Sequence, residues 1–336
     1  MDENASGLAD QVERTSALLA AAKKMVSTRI IGQEQVVEHA IVALMCGGHA
    51  LLVGAPGLAK TRLVDTLGTV FGLDNNRVQF TPDLMPADIL GSEVLESDED
   101  GSRKFRFLKG PVFAQLLMAD EINRASPRTQ SALLQAMQEK QVTIAGQEYD
   151  LPKPFHVLAT QNPIEQEGTY PLPEAQLDRF ILQITVGFPS RDTERDILMA
   201  TTGADEAVAT QIFSPQDLMA GQAAVRRMPV GDTVVEAILD LVRSARPEDE
   251  SAPDFVREAV NWGPGPRAAQ ALMLATRARA LVHGRLAPSV DDVAALAHPV
   301  LIHRMALGFA ARARGEHLPD LISRLTAHIS GEEAAA

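Results

Sequence analysis

The chain has one cysteine, Cys46, in 336 residues, so no disulfide can close within it. That thiol lies in an apolar stretch and reads as a small core residue. No apolar run approaches ~18 residues, so no membrane-spanning helix is expected. The first ten residues, Met1 to Asp10, are acidic and lack the basic start and apolar centre of a secretion signal, and a soluble, cytoplasmic protein is expected. Positive charge is in short supply. Against 44 acidic residues stand 31 basic ones, a net charge of −13. That balance disfavours non-specific binding to nucleic acid or to an anionic membrane surface. The eight histidines are scattered and offer no zinc-ligand cluster. Internal repeats and long low-complexity tracts are absent. What remains is an ordinary globular balance, 46% apolar and 22% charged, over a length suited to two or three domains.

Residues 54–61 read Gly54-Ala55-Pro56-Gly57-Leu58-Ala59-Lys60-Thr61, and they follow the apolar run Ala50 to Val53. A buried strand feeding a glycine-rich turn, with a helix opening at Lys60, is the context of a nucleotide-phosphate cradle. Backbone N–H groups in the turn and at the helix N-terminus face phosphate oxygens. Lys60 neutralises the β- and γ-phosphates, and the Thr61 hydroxyl holds Mg²⁺. The pattern asks for glycine before the lysine, and this chain has Ala59, which has less backbone freedom. A second buried strand, Gln115 to Ala119, ends in Asp120 and Glu121. Asp120 serves the Mg²⁺ shell, and Glu121 orients and polarises the attacking water. Phosphoryl transfer asks little covalent chemistry of a protein, so metal, base and cations carry its rate.

Around these motifs the pattern predicts helices over 7–27 and from Gln33 to Cys46, then strands at Arg77 to Phe80, Phe155 to Thr160 and Phe180 to Val186. The alternation calls for an α/β fold, a parallel sheet covered by helices on both faces. Two hairpins interrupt it, at about 92–108 (with an acidic turn at Asp98 to Gly101) and 142–151. Ser126-Pro127 is a helix start. After Pro189 only helices are expected, over Pro215 to Arg227, Asp232 to Arg246, Arg267 to His283, Val290 to Leu307 and Pro319 to Ile329, with Ser214-Pro215 and Ser289 as starts. The expected division is an α/β nucleotide-binding core over 1–205 and a helical lid over 206–336, with a frayed tail from Gly331.

This order of motifs resembles an AAA+ ATPase, and more narrowly the MoxR family. The resemblance spans roughly residues 10–325. It rests on Ile31-Gly32-Gln33, Gly54 to Thr61, Asp120 to Ala125, Ala159 to Pro163, Leu177 to Phe180 and Gly265 to Ala268. Ala59 before the lysine is itself typical of that family, and both hairpins sit where the family and its relatives carry insertions. The resemblance implies an Mg²⁺-dependent ATPase with ATP bound between core and lid. Ile30, Ile31 and Gly32 would flank the adenine, or form a plain core turn. Asn162 is similar to the sensor-1 residue that holds water or contacts the γ-phosphate; an Asn-Pro pair is also a common turn. Arg179 resembles the finger presented to a neighbouring subunit's ATP, with Arg124 and Arg128 as rival candidates. Arg267 resembles the sensor-2 arginine of the lid. A closed homo-oligomeric ring, hexameric in such proteins, is implied.

The function so implied is chaperone-like remodelling, assembly or maturation of protein complexes, including metal or cofactor insertion. A von Willebrand A-type domain protein is the implied partner, on a separate chain, and the client is a protein complex that no residue here names. A magnesium-chelatase-like subunit is a near cousin. A nucleic-acid motor or transcription regulator is the rival, supported by Arg103-Lys104-Phe105-Arg106-Phe107 and opposed by Glu96, Asp98, Glu99, Asp100 and the net acidity. A scaffold that binds nucleotide without turnover is opposed by the full complement Lys60, Asp120, Glu121, Asn162 and Arg179.

Overall fold

The computed structural model describes residues 3–97, 103–164, 168–203 and 207–330. The acidic turn at Asp98 to Gly101, the division at 205/206 and the tail from Gly331 lie outside them.

In chain order the strands are β1 (Ala50–Val53), β2 (Asn75–Gln79), β3 (Gly91–Ser97), β4 (Arg103–Lys109), β5 (Leu116–Asp120), β6 (Gln141–Ile144), β7 (Gln147–Asp150), β8 (His156–Gln161), β9 (Leu182–Thr185), β10 (Val260–Trp262) and β11 (Ala306–Leu307). Five form one sheet in the order β2-β5-β8-β1-β9, every neighbouring pair parallel. Side chains alternate between its faces with the period of two that a pleated strand imposes. Leu52, Met118, Leu158 and Ile184 enter one core cluster, while Leu51, Leu117, Val157 and Ala159 enter the other. Both faces are therefore buried along the central strands β5, β8 and β1, which explains why those three read as continuous apolar runs, whereas β2 at the edge is polar and mostly exposed.

The first cluster packs beneath the helices Glu3–Ser27, Glu34–Met45 and Lys60–Val70 and runs without a break into the helices after Ser214. The second lies under the helix Pro127–Glu139 and the hairpin β6–β7. The hairpins β3–β4 and β6–β7 touch each other through Phe107 and Tyr149, whose rings lie 4.3 Å apart.

The helix starts follow capping chemistry. The Ser126 hydroxyl accepts from Thr129 N ahead of Pro127, and Ser214 and Ser289 form capping boxes with Asp217 and Asp292. The later helices span Pro215–Arg227, Asp232–Ser244, Pro266–Val282, Val290–Leu301 and Leu318–Ser330. Several features depart from expectation, the short helices Pro86–Leu90, Asp254–Ala259 and Phe309–Ala313 among them. A helix at Arg191–Thr201 follows β9. The chain turns at Ile302–Met305 instead of continuing helical to Leu307. The all-helical expectation also fails locally, because β10 and β11 pair antiparallel. Three residues against two is too short a run to show alternation in sequence.

Polar groups fasten the later helices to the core. Glu38 accepts from Lys23 at 2.5 Å and from Arg279 at 3.2 Å, and Arg279 also reaches Asp292 at 2.5 Å. Burial alone would raise the Glu38 carboxyl, but hydrogen bonds from Lys23 and His283 outweigh it and hold its pKa at about 2. His156 donates from Nδ1 to Gly48 O at 2.8 Å and accepts at Nε2 from Gln222 at 3.1 Å, a bridge from β8 to the helix Pro215–Arg227. Burial lowers His39 and His156 to about 4 and His49 to about 3. The unfolded chain therefore takes up these protons first as pH falls. The stability linked to them is complete above pH 6.5 and is lost progressively toward pH 4. Urea midpoints read by circular dichroism at about pH 7.5, 6 and 5 are expected to fall in that order.

Candidate active site

The cradle lies at the carboxyl end of the sheet. β1 ends at Val53, and Val53 O and Gln161 O accept from Val186 N and Gly54 N, which pins the turn against both neighbouring strands. A Cβ at Gly54 would run into the carbonyl of Val186, so only glycine fits there. Gly57 has open space but φ +80°, where glycine is favoured. Ala59 is left-handed at φ 57°, and its carbonyl accepts from Leu63 N at 2.9 Å as the helix Lys60–Val70 begins. A left-handed alanine costs on the order of 1 kcal/mol. Ala59→Gly is expected to raise the thermal midpoint by about 2 °C, which scanning calorimetry would detect.

Pro56 to Arg62, Asp120, Glu121, Thr160 and Asn162 line a cleft of about 360 Å³. Lys60 Nζ donates to the carbonyls of Gly54 and Ala55, and burial lowers its pKa while Asp120 and Glu121 oppose that shift. Asp120 is the last residue of β5; its Oδ1 accepts from Thr160 Oγ1 at 2.6 Å and its Oδ2 from Arg77 at 2.5 Å. Glu121 follows in a left-handed conformation, φ 56°, which turns it off the strand direction. That strained geometry is held by Glu121 N donating to Thr160 Oγ1 at 2.8 Å. The Glu121 carboxylate accepts from Gln79 at 2.8 Å and from Arg124 at 2.9 Å. Asn162 is buried, and its Oδ1 accepts from Ile164 N at 3.1 Å, so it both lines the cleft and closes the turn. Ile31 does not line the cleft. Its loop is tied to the cradle by Gln33, whose Nε2 meets Leu58 O at 3.5 Å, and Gly32 packs on Thr193 of the helix Arg191–Thr201.

Arg77, Gln79 and Thr160 escaped the sequence reading. On β2, Arg77 and Gln79 sit two residues apart on one face, with Gln79 opposite Asp120 in register. Polar residues alternating on a strand were the available signal. The donors present suit a hard cation beside phosphates, a carboxylate (Asp120) and a hydroxyl (Thr61) next to a cradle that a side chain at Gly54 would destroy. ATP with Mg²⁺ fits these residues.

The other two expected residues lie elsewhere. Arg179 and Arg267 line a separate cavity of about 290 Å³, together with Cys46 to His49, Asp178 and Arg304. Cys46 to His49 precede β1 and Arg179 precedes β9, so this cavity is at the amino edge of a parallel sheet whose carboxyl edge holds the cradle. β1 alone, at about 3.3 Å per residue, separates the two edges by about 13 Å. The Arg179 guanidinium donates to Leu134 O, and Arg267 meets Asp178 at 3.5 Å. The lid thus does not close over the cradle of its own chain, as the family resemblance had implied; its Arg267 and Arg304 lie at the opposite edge. Arg124 pairs with Glu121 within the chain, and Arg128 is exposed.

Known proteins share this arrangement. The family described as ATPase family associated with various cellular activities (AAA) matches residues 49–182, and the AAA lid domain matches residues 254–325. Chaperone MoxR1 of Mycobacterium tuberculosis is 41% identical over 95% of this chain and 82% of its own length. Protein MoxR of Paracoccus denitrificans is 31% identical over 89% of this chain and 92% of its own. A crystal structure from Cytophaga hutchinsonii, of a candidate ATPase, superposes with a TM-score of 0.88 at 33% identity, covering 96% of this chain and 98% of that one. With the cradle, the acidic strand end and the lid in the same order along nearly the whole length, the chain belongs to the MoxR family of AAA+ ATPases.

Proposed function

We propose that this chain hydrolyses ATP to ADP and phosphate in a homo-oligomeric ring, and that the motion drives chaperone-like remodelling or maturation of a protein complex in the cytoplasm. The observation that carries the reading is the convergence of Lys60, Thr61, Asp120, Glu121 and Asn162 on one cleft, at the carboxyl ends of the adjacent strands β1, β8 and β5. Thr61 and Asp120 are the residues that would hold Mg²⁺, which when bound neutralises charge on the phosphate oxygens. Lys60 leaves the loop carbonyls for the phosphates. Glu121 takes and orients the water proton, and Asn162 positions that water. Thr160 keeps both acidic residues in place by bonding Asp120 and the Glu121 backbone at once.

Arg179 and Arg267 serve the ATP of a neighbouring subunit. The support is their place at the far edge of the sheet, together on one cavity, where neither reaches its own cradle. A ring is then needed for turnover. A hexamer and a von Willebrand A-type adaptor accord with the family, and metal or cofactor insertion is one form the maturation can take.

Phosphate release from ATP by the purified chain, with Mg²⁺ and after removing it, tests the reading. No release in any oligomeric fraction would sink it. The nucleic-acid alternative gains little from the hairpin. Phe107 is packed on Tyr149 and Phe113, and Arg106 is paired with Glu96, which leaves Phe105 as the one well-exposed ring of β4.

A further inference from the structure

Arg304 lies just past the helix Val290–Leu301, in the lid, and is 2% exposed. Its guanidinium is spent on the segment around Arg179. Nε donates to Asp178 Oδ1 at 2.6 Å, Nη2 to Phe180 O at 2.7 Å and Asp178 O at 3.3 Å, and Nη1 to Ile181 O at 3.3 Å and Val300 O at 2.7 Å. His303 beside it donates to Phe180 O at 3.0 Å. Arg267, also of the lid, meets the second oxygen of Asp178 at 3.5 Å. The residues immediately before and after Arg179 are thus gripped from the lid, while the Arg179 guanidinium itself is half-buried against Leu134 O at the cavity.

A buried guanidinium is costly to desolvate, and well-packed apolar residues often replace a buried ion pair without loss of stability. Mere docking of the lid would not require a charged fork here. What a planar fork does supply is fixed geometry, several acceptors held at set angles to one another. We infer that Arg304 is a positioning residue for the Arg179 finger, and that through it the lid of one subunit sets hydrolysis in the next. This rests on Arg179 acting in trans. The lid and the finger then move as one piece, so a lid displacement in one subunit withdraws the cation from its neighbour's ATP.

The test is subunit mixing. Arg304→Lys keeps the charge and loses the fork. Its kcat is expected to fall by about 10²-fold, as misplacement of a catalytic group by an ångström can cause, with KM for ATP within about twofold of the parent. It is then mixed with excess Lys60→Ala subunits, which have a damaged cradle and an intact finger. Arg304→Lys cradles next to such neighbours should recover turnover to near that of parent subunits mixed in the same way, as Arg179→Ala subunits should. Failure of rescue for Arg304→Lys while Arg179→Ala is rescued would overturn the inference and leave the trans finger standing. Failure of rescue for Arg179→Ala would remove the trans finger and the inference with it. Turnover of Arg304→Lys at the parent rate would also overturn it. Should Arg304→Lys not fold, Asp178→Asn, which keeps the carbonyl acceptors, enters the same mixture with the same outcomes.

Discussion

Glu121→Gln is expected to bind ATP and hold it with almost no turnover. The substituted amide keeps the size of the side chain and an oxygen that Gln79 and Arg124 can still donate to. It loses the basicity that draws a proton from the attacking water. General-base assistance is worth about 10²–10⁴ in rate, and that is the fall expected in single-turnover hydrolysis. Binding of a fluorescent ATP analogue should stay within a few-fold, because the phosphate-facing backbone, Lys60 and Thr61 are untouched. Turnover at the parent rate would remove Glu121 from the water-orienting role. The trapped form is also the reagent for finding the client. Capturing it from the native host, loaded with ATP, should bring down a von Willebrand A-type protein with its enzyme complex; nucleic acid that survives nuclease controls would favour the motor instead.

Arg179→Ala is expected to abolish hydrolysis while the cradle still binds ATP. Charge spreads over the transferred phosphoryl group in the transition state, and an arginine finger there is worth on the order of 10³–10⁵ in rate. The cradle and Arg179 sit on opposite edges of the sheet, so nucleotide affinity of an isolated subunit should hardly change. Full activity in a strictly monomeric preparation would refute a trans finger. Wild-type turnover by Arg179→Ala, with equal activity loss in Arg124→Ala or Arg128→Ala, would move the finger to one of those residues. The observed pairing of Arg124 with Glu121 at 2.9 Å predicts a different outcome for Arg124→Ala, a change in how Glu121 is held within its own subunit.

Much of the molecule was written locally. Gly54 to Thr61 and Asp120-Glu121 are contiguous runs whose chemistry depends on the strand just before them, so a window of about ten residues contains the whole statement. The caps at Ser126 and Ser214 are equally local, a hydroxyl and a backbone N–H three residues on, and at Ser289 the Asp292 carboxylate three residues on accepts from the serine N–H and hydroxyl. The parallel sheet followed from apolar runs too continuous to have a wet face, and both faces proved buried. By itself, then, the sequence determined the α/β class, the cradle, the acidic strand end, the hairpins and the helical character of the later chain.

Tertiary structure decided what meets what. Arg77 and Gln79 look like solvated residues of a short polar strand until β2 is laid beside β5, which puts them on the carboxylates of Asp120 and Glu121 forty-odd residues away. Thr160 became the shared partner of both acids because β8 lies next to β5. The place of the lid was undecidable from helices alone, since an apolar helix face records that it is buried but not against which edge of a sheet. Arg179 lies at the end away from the cradle because it precedes β9, which runs parallel to β1, and Arg267 reaches the same end because Arg304 and His303 dock the lid on the segment before β9. Side-chain chemistry travels with the local sequence, whereas the meeting of distant residues is set by strand pairing and by lid-docking contacts over a hundred residues apart.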